Sequence, residues 1–536
     1  MPATVELKGR AAAPGLAHGP VHRIVDVAEL HRAADTPASE RDALARAIEA
    51  ATADLGDLIA GTDADGAAIL EFQVAMLEDD ALHDPALAAI DRGSDAASAW
   101  KNALAVQVAD YRGSDDAYFS ARASDLEDLR DRVLSHLFGA TTDARIAPGA
   151  ILVGRDLTPS RFLAVDWSKG GAIALAEGSP SSHVAILARS RGVPMAVGLG
   201  HIPDEAFTTA IVDGEHGRLL LDPGAEDITA FGAARDAAAA RRAEEATVLT
   251  QPALTKDGVS ISVQINVAEP EELDTLDPAI CDGIGLVRTE FLFSRPGGLP
   301  DEATQYRAYA RIVDWAKGRP VTIRTIDAGG DKPVPGLTES GESNPFLGLR
   351  GVRLSLAKPA IFKVQLRALA RAALHGPLKI MLPMITVPEE ITAAAALLDA
   401  AVAELQVEGV DARRPPLGIM VEVPAVAIVP ELFKSAAFFS IGSNDLTQYV
   451  TASARDVAAV AALNDPGHPA VTALIRRVVE TSRTLGIDIS LCGDMGGDPQ
   501  HLPALIGAGL RSVSVAPPLV GRVKLALRDI ATGGTA

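Results

Sequence analysis

Hydrophobic and polar positions divide the chain into regions of different period. In the first thirty residues short apolar runs such as Val21 to Val27 are punctuated by Gly9, Pro14, Gly15 and Gly19, a pattern of strands and turns. So few strands cannot bury a face by themselves, and they must join a later segment. From about Arg32 to Gly139 the spacing becomes helical, as in SERDALARAIEAATADLGDLI and SDLEDLRDRVLSHLFG, each opening on a serine suited to an N-cap. This predicts a helical module inserted into the strand-forming region. Short β-like runs (AILV, GAIAL, PMAVG, RLLLD) return between Ala147 and Asp222 with one helical segment among them, giving an α/β module. The stretch Ala225 to Val248 is helical, charged and Ala-rich without a strong apolar stripe, as befits an interdomain helix and hinge.

Beyond Lys256 the alternation is regular. Candidate strands are Ile261 to Asn266, Gly283 to Val287, Val321 to Ile326, Leu378 to Met384, Leu417 to Val423, Ala437 to Ile441, Ile487 to Leu491 and Ser512 to Val515, most followed by a helical stretch. Eight β/α units predict a TIM barrel, which carries its catalytic groups at the C-terminal ends of the strands. Arg288, Arg324, Glu422, Asn444, Asp445 and Cys492 fall there. The expected organisation is multidomain α/β: 1–31 with 140–224 as one α/β domain, 32–139 as its helical insertion, 225–256 as linker and 257–536 as barrel.

A length of 536 residues accommodates this division. The formal net charge of −21 argues against nucleic-acid or anionic-membrane binding, which needs clustered Lys and Arg. Nine Lys and Arg face twenty-two Asp and Glu between Arg32 and Arg132, so −13 of that charge lies in the helical module, a surface suited to a basic protein partner. Cys281 and Cys492 are the only cysteines and have no metal-like spacing, so neither a disulfide framework nor a zinc site is indicated. The N-terminus lacks a signal-like apolar core, and the apolar stretch Ile391 to Leu405 is broken by Asp399 and Glu404. The expectation is a soluble cytoplasmic protein.

His183 stands in GSPSSHVAILARSRGVP, at a Gly/Ser/Pro turn that opens an apolar helical run. Backbone N–H groups at a helix start favour an anion on the ring, and an imidazole near its pKa is a competent nucleophile for phosphoryl transfer. Taken alone, such a histidine is more often a cap or a core residue. Mg²⁺ favours one or two carboxylates with water and substrate oxygens, and Glu422 in MVEVP with Asp445 in GSNDLTQY offers such a pair.

The segment GSPSSHVAILARSRGVPMAVG resembles the phosphohistidine segment shared by enzyme I of the sugar phosphotransferase system and pyruvate-phosphate dikinases. GIGLVRTEFLF, IRTIDAGGDKPVP, NPFLGLRGVRLSL, MLPMI, GIMVEVPAVAI, FFSIGSNDLTQY and LCGDMGGD resemble enzyme I in that family's order, and ILEFQVAMLEDDAL with YFSARASDLEDLRDRVL resembles its insertion for binding the carrier HPr, which dikinases lack. The resemblance covers nearly the whole chain. It implies a phosphohistidine α/β domain with an inserted helical bundle and a C-terminal barrel binding phosphoenolpyruvate (PEP). It further implies Mg²⁺ as cofactor, pyruvate as product, a histidine of an HPr-like carrier as acceptor and dimerisation through the barrel. His183 becomes the phosphorylated nucleophile and Cys492 the proton donor to C3 of enolpyruvate. Arg288, Arg324 and Arg455 become substrate ligands with Asn444 and Asp445, Lys332 and Arg350 additional cations, and Glu422 and Asp445 the metal ligands.

Several residues depart from the family pattern. Glu177 stands where glycine is usual, Val184 where a hydroxyl residue follows the histidine, Gln73 for a histidine of the insertion, Asp494 for a glutamate after Cys492, and Asp456-Val457 for Gly-Asn. A regulatory phosphorelay protein with little sugar flux would use the same residues, whereas a dikinase- or synthase-like enzyme using another domain in trans is disfavoured by the carrier-binding insertion and the absence of room for a nucleotide domain. A pyruvate-handling aldolase or lyase leaves His183 and the helical insertion unexplained.

Overall fold

The computed structural model describes residues 4–24, 34–61, 64–112, 117–139, 146–180, 182–293, 298–330, 334–338, 342–454 and 460–532. They form two compact units, 1–239 and 240–536.

In the first unit, strands β1 (Val5–Lys8), β2 (Arg10–Ala13) and β3 (Leu16–Arg23) precede the insertion. After it come β4 (Ile151–Gly154), β5 (Ala172–Leu175), β6 (Met195–Val197), β7 (Thr209–Asp213) and β8 (Arg218–Leu221). One sheet in the order β1-β8-β7-β3-β4-β5-β6-β2 contains them all, so the N-terminal strands do join the later segment. The β3–β6 stretch is parallel, and the other pairings are antiparallel.

Between β3 and β4 lie helices α1 (Pro37–Gly61), α2 (Ala64–Leu77), α3 (Asp80–Asp91), α4 (Ala96–Arg112) and α5 (Ala117–Phe138). On α1, Leu44, Ala47, Ala51 and Leu55 recur at helical spacing and are buried against Trp100 and Leu104 of α4 and Leu126 and Leu129 of α5. Glu40 is fully buried, and its carboxylate accepts the N–H of Asp35 at 3.0 Å and of Ala96, the first residue of α4, at 2.7 Å. An anion at a helix N-terminus is stabilised by the unpaired N–H groups there. Two expectations about helix starts fail. Ser39 lies inside α1, whose first turn is capped instead by Thr36, its Oγ1 accepting the Ser39 N–H at 3.3 Å ahead of Pro37. Ser124 lies within α5, because the helix already runs through the residues before it.

The insertion is fastened to the α/β domain by a buried carboxylate. Asp128 of α5 accepts the hydroxyl of Ser160 at 2.7 Å and its N–H at 3.3 Å, together with the Gln73 amide at 3.1 Å. Arg132 donates to the same Ser160 hydroxyl at 2.6 Å. The helix Ala225–Val248 follows β8, with Val248 its buried residue, and the division between the units falls within it.

The second unit is a closed barrel of eight parallel strands: β9 (Ser262–Val267), β10 (Ile284–Val287), β11 (Val321–Arg324), β12 (Leu378–Leu382), β13 (Leu417–Val421), β14 (Phe438–Ile441), β15 (Asp488–Leu491) and β16 (Ser512–Val515). Each coincides with one of the apolar runs of the sequence. Pairing of Val513 with Val263 and Val515 with Ile265 closes the ring. Strands buried on both faces read as continuous apolar runs, as in LGIMV and FFSI. Outside them helices bury one stripe each: Ile391, Ala394, Leu398, Ala401 and Leu405 on Pro388–Val407. The buried Lys524 ammonium donates to the carbonyls of Leu249, Gln251 and Ile280, anchoring the chain after the linker helix to the barrel. Among the described residues no helix is long and apolar enough to cross a membrane.

Candidate active site

The barrel strands deliver the candidate side chains to one end. Arg288 follows β10, Arg324 ends β11, Glu422 follows β13 and Cys492 follows β15. Asn444 and Asp445 lie in the first turn of the helix Ser443–Thr451 after β14, and Arg350 comes from the long segment after β11. All seven line one cavity of about 320 Å³, with Leu286, Met420 and Asp494. That is the small end of ligand pockets, scaled to a metabolite.

A fully buried carboxylate organises two of the arginines. Asp327 binds Arg350 twice, Oδ1 to Nε and Oδ2 to Nη2, both at 3.0 Å, and its Oδ2 lies 3.1 Å from Nη1 of Arg324. Glu290 accepts from Arg324 Nη2 at 2.9 Å and from the Asp327 N–H at 3.0 Å. Asp445 takes Arg350 Nη2 at 3.0 Å. Burial opposes the charge on both guanidinium groups, but the adjacent carboxylates outweigh it and hold both above the ordinary arginine value. Arg288 differs: it is half-buried and has no carboxylate partner among the described residues, leaving its fork open to the cavity.

Glu422 is buried, and its Oε1 accepts the Met384 N–H at 2.6 Å. Met384 adopts φ 58°, a left-handed conformation costing roughly 1–2 kcal/mol for a non-glycine residue. Gly351, at φ 60°, makes room for it, since a Cβ there would sit 2.9 Å from Met384 Cβ. Burial first, then repulsion from Asp445 and Asp327, pushes the Glu422 carboxyl well above the usual carboxylate range, with Arg324 and Arg350 opposing. A buried carboxyl raised by burial and by neighbouring carboxylates is short of positive charge, and a divalent cation would supply it. Among the described residues no group of three or more His, Cys, Asp and Glu is arranged to hold a metal. The donor set therefore fits Mg²⁺ only as Glu422 and Asp445 completed by substrate oxygens and water, a mode that ion favours.

Asn444 and Asp494 form a reciprocal pair: the amide donates to Asp494 Oδ2 at 2.9 Å and its oxygen accepts the Asp494 N–H at 3.0 Å. The shorter acid at position 494 thus reaches Asn444, and one amide hydrogen remains for a ligand. Cys492 is 3% exposed beside Leu286, Met381, Met420 and Phe438. Burial pushes its thiol up to about 11, against the lowering effect of a Ser440 hydrogen bond, so the group is protonated at neutral pH.

Lys332 and Arg455 lie outside the described residues. His183 lies in the first unit, where it begins the helix His183–Ser190, N-capped by Ser182, whose Oγ accepts the Ala185 N–H at 3.3 Å. The preceding turn is pinned through its carbonyls: Arg10 donates to Gly178 O at 2.9 Å and Arg189 to Pro180 O at 2.7 Å. Val184 is buried in the apolar cluster with Phe162, Ile173 and Val193, while Glu177 is exposed. Sequence reasoning missed Glu290, Asp327, Met384 and Tyr449. For the first two a signal existed: an acid stands two or three residues beyond a strand-end arginine in RTE and RTID.

Three family models match the chain: "PEP-utilising enzyme, N-terminal" over residues 8–122, "PEP-utilising enzyme, mobile domain" over 146–217 and "PEP-utilising enzyme, PEP-binding domain" over 242–532. Fold and site thus define a PEP-utilising enzyme. The chain is 32% identical over 550 residues to the phosphoenolpyruvate-protein phosphotransferase of Priestia megaterium, covering 98% of this chain and 94% of that protein. It is 35% identical over 474 residues to the phosphoenolpyruvate-protein phosphotransferase of Staphylococcus carnosus, covering 87% and 83%. A multiphosphoryl transfer protein of Xanthomonas campestris is 37% identical over 541 residues, and there the match spans 97% of this chain but 63% of that protein. The chain belongs to the phosphoenolpyruvate-protein phosphotransferase family and is a phosphotransferase.

Proposed function

We propose that the chain phosphorylates itself on His183 from phosphoenolpyruvate in the presence of Mg²⁺, releases pyruvate, and passes the phosphoryl group to a histidine of an HPr-like carrier, the first step of a sugar phosphotransferase relay. The observation that carries this reading is the convergence of three arginines, the Glu422–Asp445 pair and a protonated thiol on one small cavity. Phosphoenolpyruvate brings up to three negative charges on a small frame, and planar guanidinium forks match its carboxylate and phosphoryl oxygens.

Arg324 and Arg350, already fixed by Asp327, receive the substrate without reorganising, and the open fork of Arg288 closes on it. Asn444 donates its remaining amide hydrogen to a phosphoryl oxygen. Mg²⁺, when bound by Glu422 and Asp445, supplies positive charge against the phosphoryl and enolate oxygens. An imidazole nitrogen of His183 attacks phosphorus in line, forming the N–P bond as the bridging P–O bond breaks and leaves its electron pair on the enolate oxygen. The Cys492 thiol then gives its proton to C3 and pyruvate results; solvent restores the thiol. Phosphohistidine at a helix N-terminus gains roughly 0.3–1 kcal/mol from the helix dipole. The acidic surface of the insertion is the docking face for the carrier, barrels pair into a homodimer, and the reaction belongs to the cytoplasm. Lys332 and Arg455 add cations to the same substrate.

Quenched mixing of the protein with phosphoenolpyruvate and Mg²⁺ tests this. Pyruvate and acid-labile protein phosphate should appear in equal amounts, and pyruvate without phosphoprotein would sink the proposal. Cys492→Ala should slow pyruvate formation by about 10²–10⁴-fold, the typical worth of a positioned acid, while half-saturation by phosphoenolpyruvate changes little. Because the protonated thiol is the active form and its pKa is raised, the step that uses it should be flat from pH 7 to 9 and fall only as pH nears 11. An alkaline limb unchanged in the alanine variant would remove Cys492 from that role.

A further inference from the structure

The segment between β11 and Arg350 runs from Thr325 to Leu349 and contains no regular element longer than the turn Pro345–Leu347 among its described residues. Such a segment holds a guanidinium in register only if something fastens it. One fastening lies within it, where Glu342 Oε1 accepts the Leu349 N–H at 2.9 Å. Its start and middle are held from outside as well, Gln365 accepting the Ile326 N–H at 3.0 Å and Lys358 donating to Leu337 O at 2.6 Å, and the hold next to Arg350 comes from the helix Ser443–Thr451. Tyr449 stands one turn beyond Asp445 on that helix, hence on the same face. Its hydroxyl donates to the carbonyl of Phe346 at 2.5 Å and accepts from Arg350 Nη1 at 3.3 Å, with Met384 Sδ at 3.9 Å. The Arg350 guanidinium also lies over the Phe346 ring, 5.9 Å from its centroid. Two residues a helical turn apart, Asp445 and Tyr449, thus grip the same guanidinium.

We propose that Tyr449 is a positioning residue for substrate binding: its hydroxyl latches the Phe346 carbonyl to the helix that bears Asn444 and Asp445, and so sets Arg350 over the cavity. The inference rests on the reading of that cavity as the phosphoenolpyruvate site. Burial pushes the phenol up to about 12, so it keeps its proton and donates throughout the working pH range. Phenylalanine preserves the ring and its packing and removes the hydroxyl's contacts to Phe346, Arg350 and Met384. Because Arg350 holds substrate and transition state alike, its loss of register weakens binding more than it slows chemistry.

The test uses the full chain and follows acid-labile phosphoprotein formation against ³²P-phosphoenolpyruvate concentration. Tyr449→Phe should raise the half-saturating concentration about ten- to fifty-fold, with the maximal rate within about threefold of wild type and the melting temperature little changed. Arg350→Lys, which keeps the buried charge, should also raise it, and the double variant should be no more than about twofold worse than Arg350→Lys alone, since one residue acts through the other. Raised half-saturation in Arg350→Lys with a wild-type value in Tyr449→Phe would overturn the latch alone, as would effects that multiply in the double variant. A wild-type value in Arg350→Lys would overturn the substrate reading at that residue and the latch with it.

Discussion

Asp327→Ala should destabilise the barrel by about 3–5 kcal/mol and cut phosphorylation from phosphoenolpyruvate by at least about a thousandfold, the largest expected effect of any residue that does not itself meet the substrate. The residue is 0% exposed and binds Arg350 through two bonds and Arg324 through a third. Without it the two buried guanidinium groups keep Glu290 and Asp445 as hydrogen-bonded carboxylates with Glu422 nearby, and each is free to turn toward them and away from its place in the cavity. The loss has two measurable parts. A thermal or denaturant melt reads the uncompensated buried charge, and the phosphorylation rate at saturating substrate reads the displaced forks. A variant that melts like wild type and phosphorylates normally would show that Asp327 does not organise the arginines.

Arg288→Met should behave in the opposite way. No carboxylate holds Arg288 among the described residues, so removing its charge should leave stability within about ±0.5 kcal/mol. A charge-assisted hydrogen bond contributes about 1.5–3 kcal/mol, so half-saturation by phosphoenolpyruvate should rise roughly 10- to 150-fold. Arg324 and Arg350 are positioned by carboxylates of the protein; under the proposed function Arg288 takes its position from the substrate. A melting temperature that drops sharply in Arg288→Met would mean that the residue is structural, and the open fork would then need another explanation.

The contrast also marks what could be read in the sequence. Parallel strands covered on both faces appear as unbroken apolar runs, so all eight barrel strands were legible, and the ends of three runs put Arg288, Glu422 and Cys492 at the cavity end of the barrel without any contact information. Of the network under the site only the acids two and three residues beyond Arg288 and Arg324 left a trace in the sequence, and their contacts left none. Glu290 gains its role by reaching from the end of β10 to Arg324 on β11, Asp327 by meeting Arg350 twenty-three residues on, and Tyr449 by meeting a carbonyl 103 residues away. No local period encodes such meetings. The sheet order of the first unit was hidden for the same reason: β1 and β8, or β2 and β6, pair across most of that unit's length. Helix starts failed differently, because two acceptable caps lay close together and Thr36 followed by proline prevailed over Ser39.

Val184 illustrates a departure whose structural meaning differs from its chemical one. The residue after His183 carries no hydroxyl, yet it fills the apolar cluster with Phe162 and Ile173, so the position serves to seat the helix that begins at His183. Gln73, in place of a histidine, donates within the insertion to Asp128, the carboxylate that also accepts from Ser160 of the α/β domain.

The most direct test of the relay is transfer of ³²P from labelled phosphoenolpyruvate to the purified chain with Mg²⁺ and with chelator, in wild type and His183→Ala, followed by addition of an HPr candidate. The expected result is an acid-labile label that requires Mg²⁺, vanishes in His183→Ala and moves to the carrier. An unlabelled wild type, or a label that persists in His183→Ala, would contradict it.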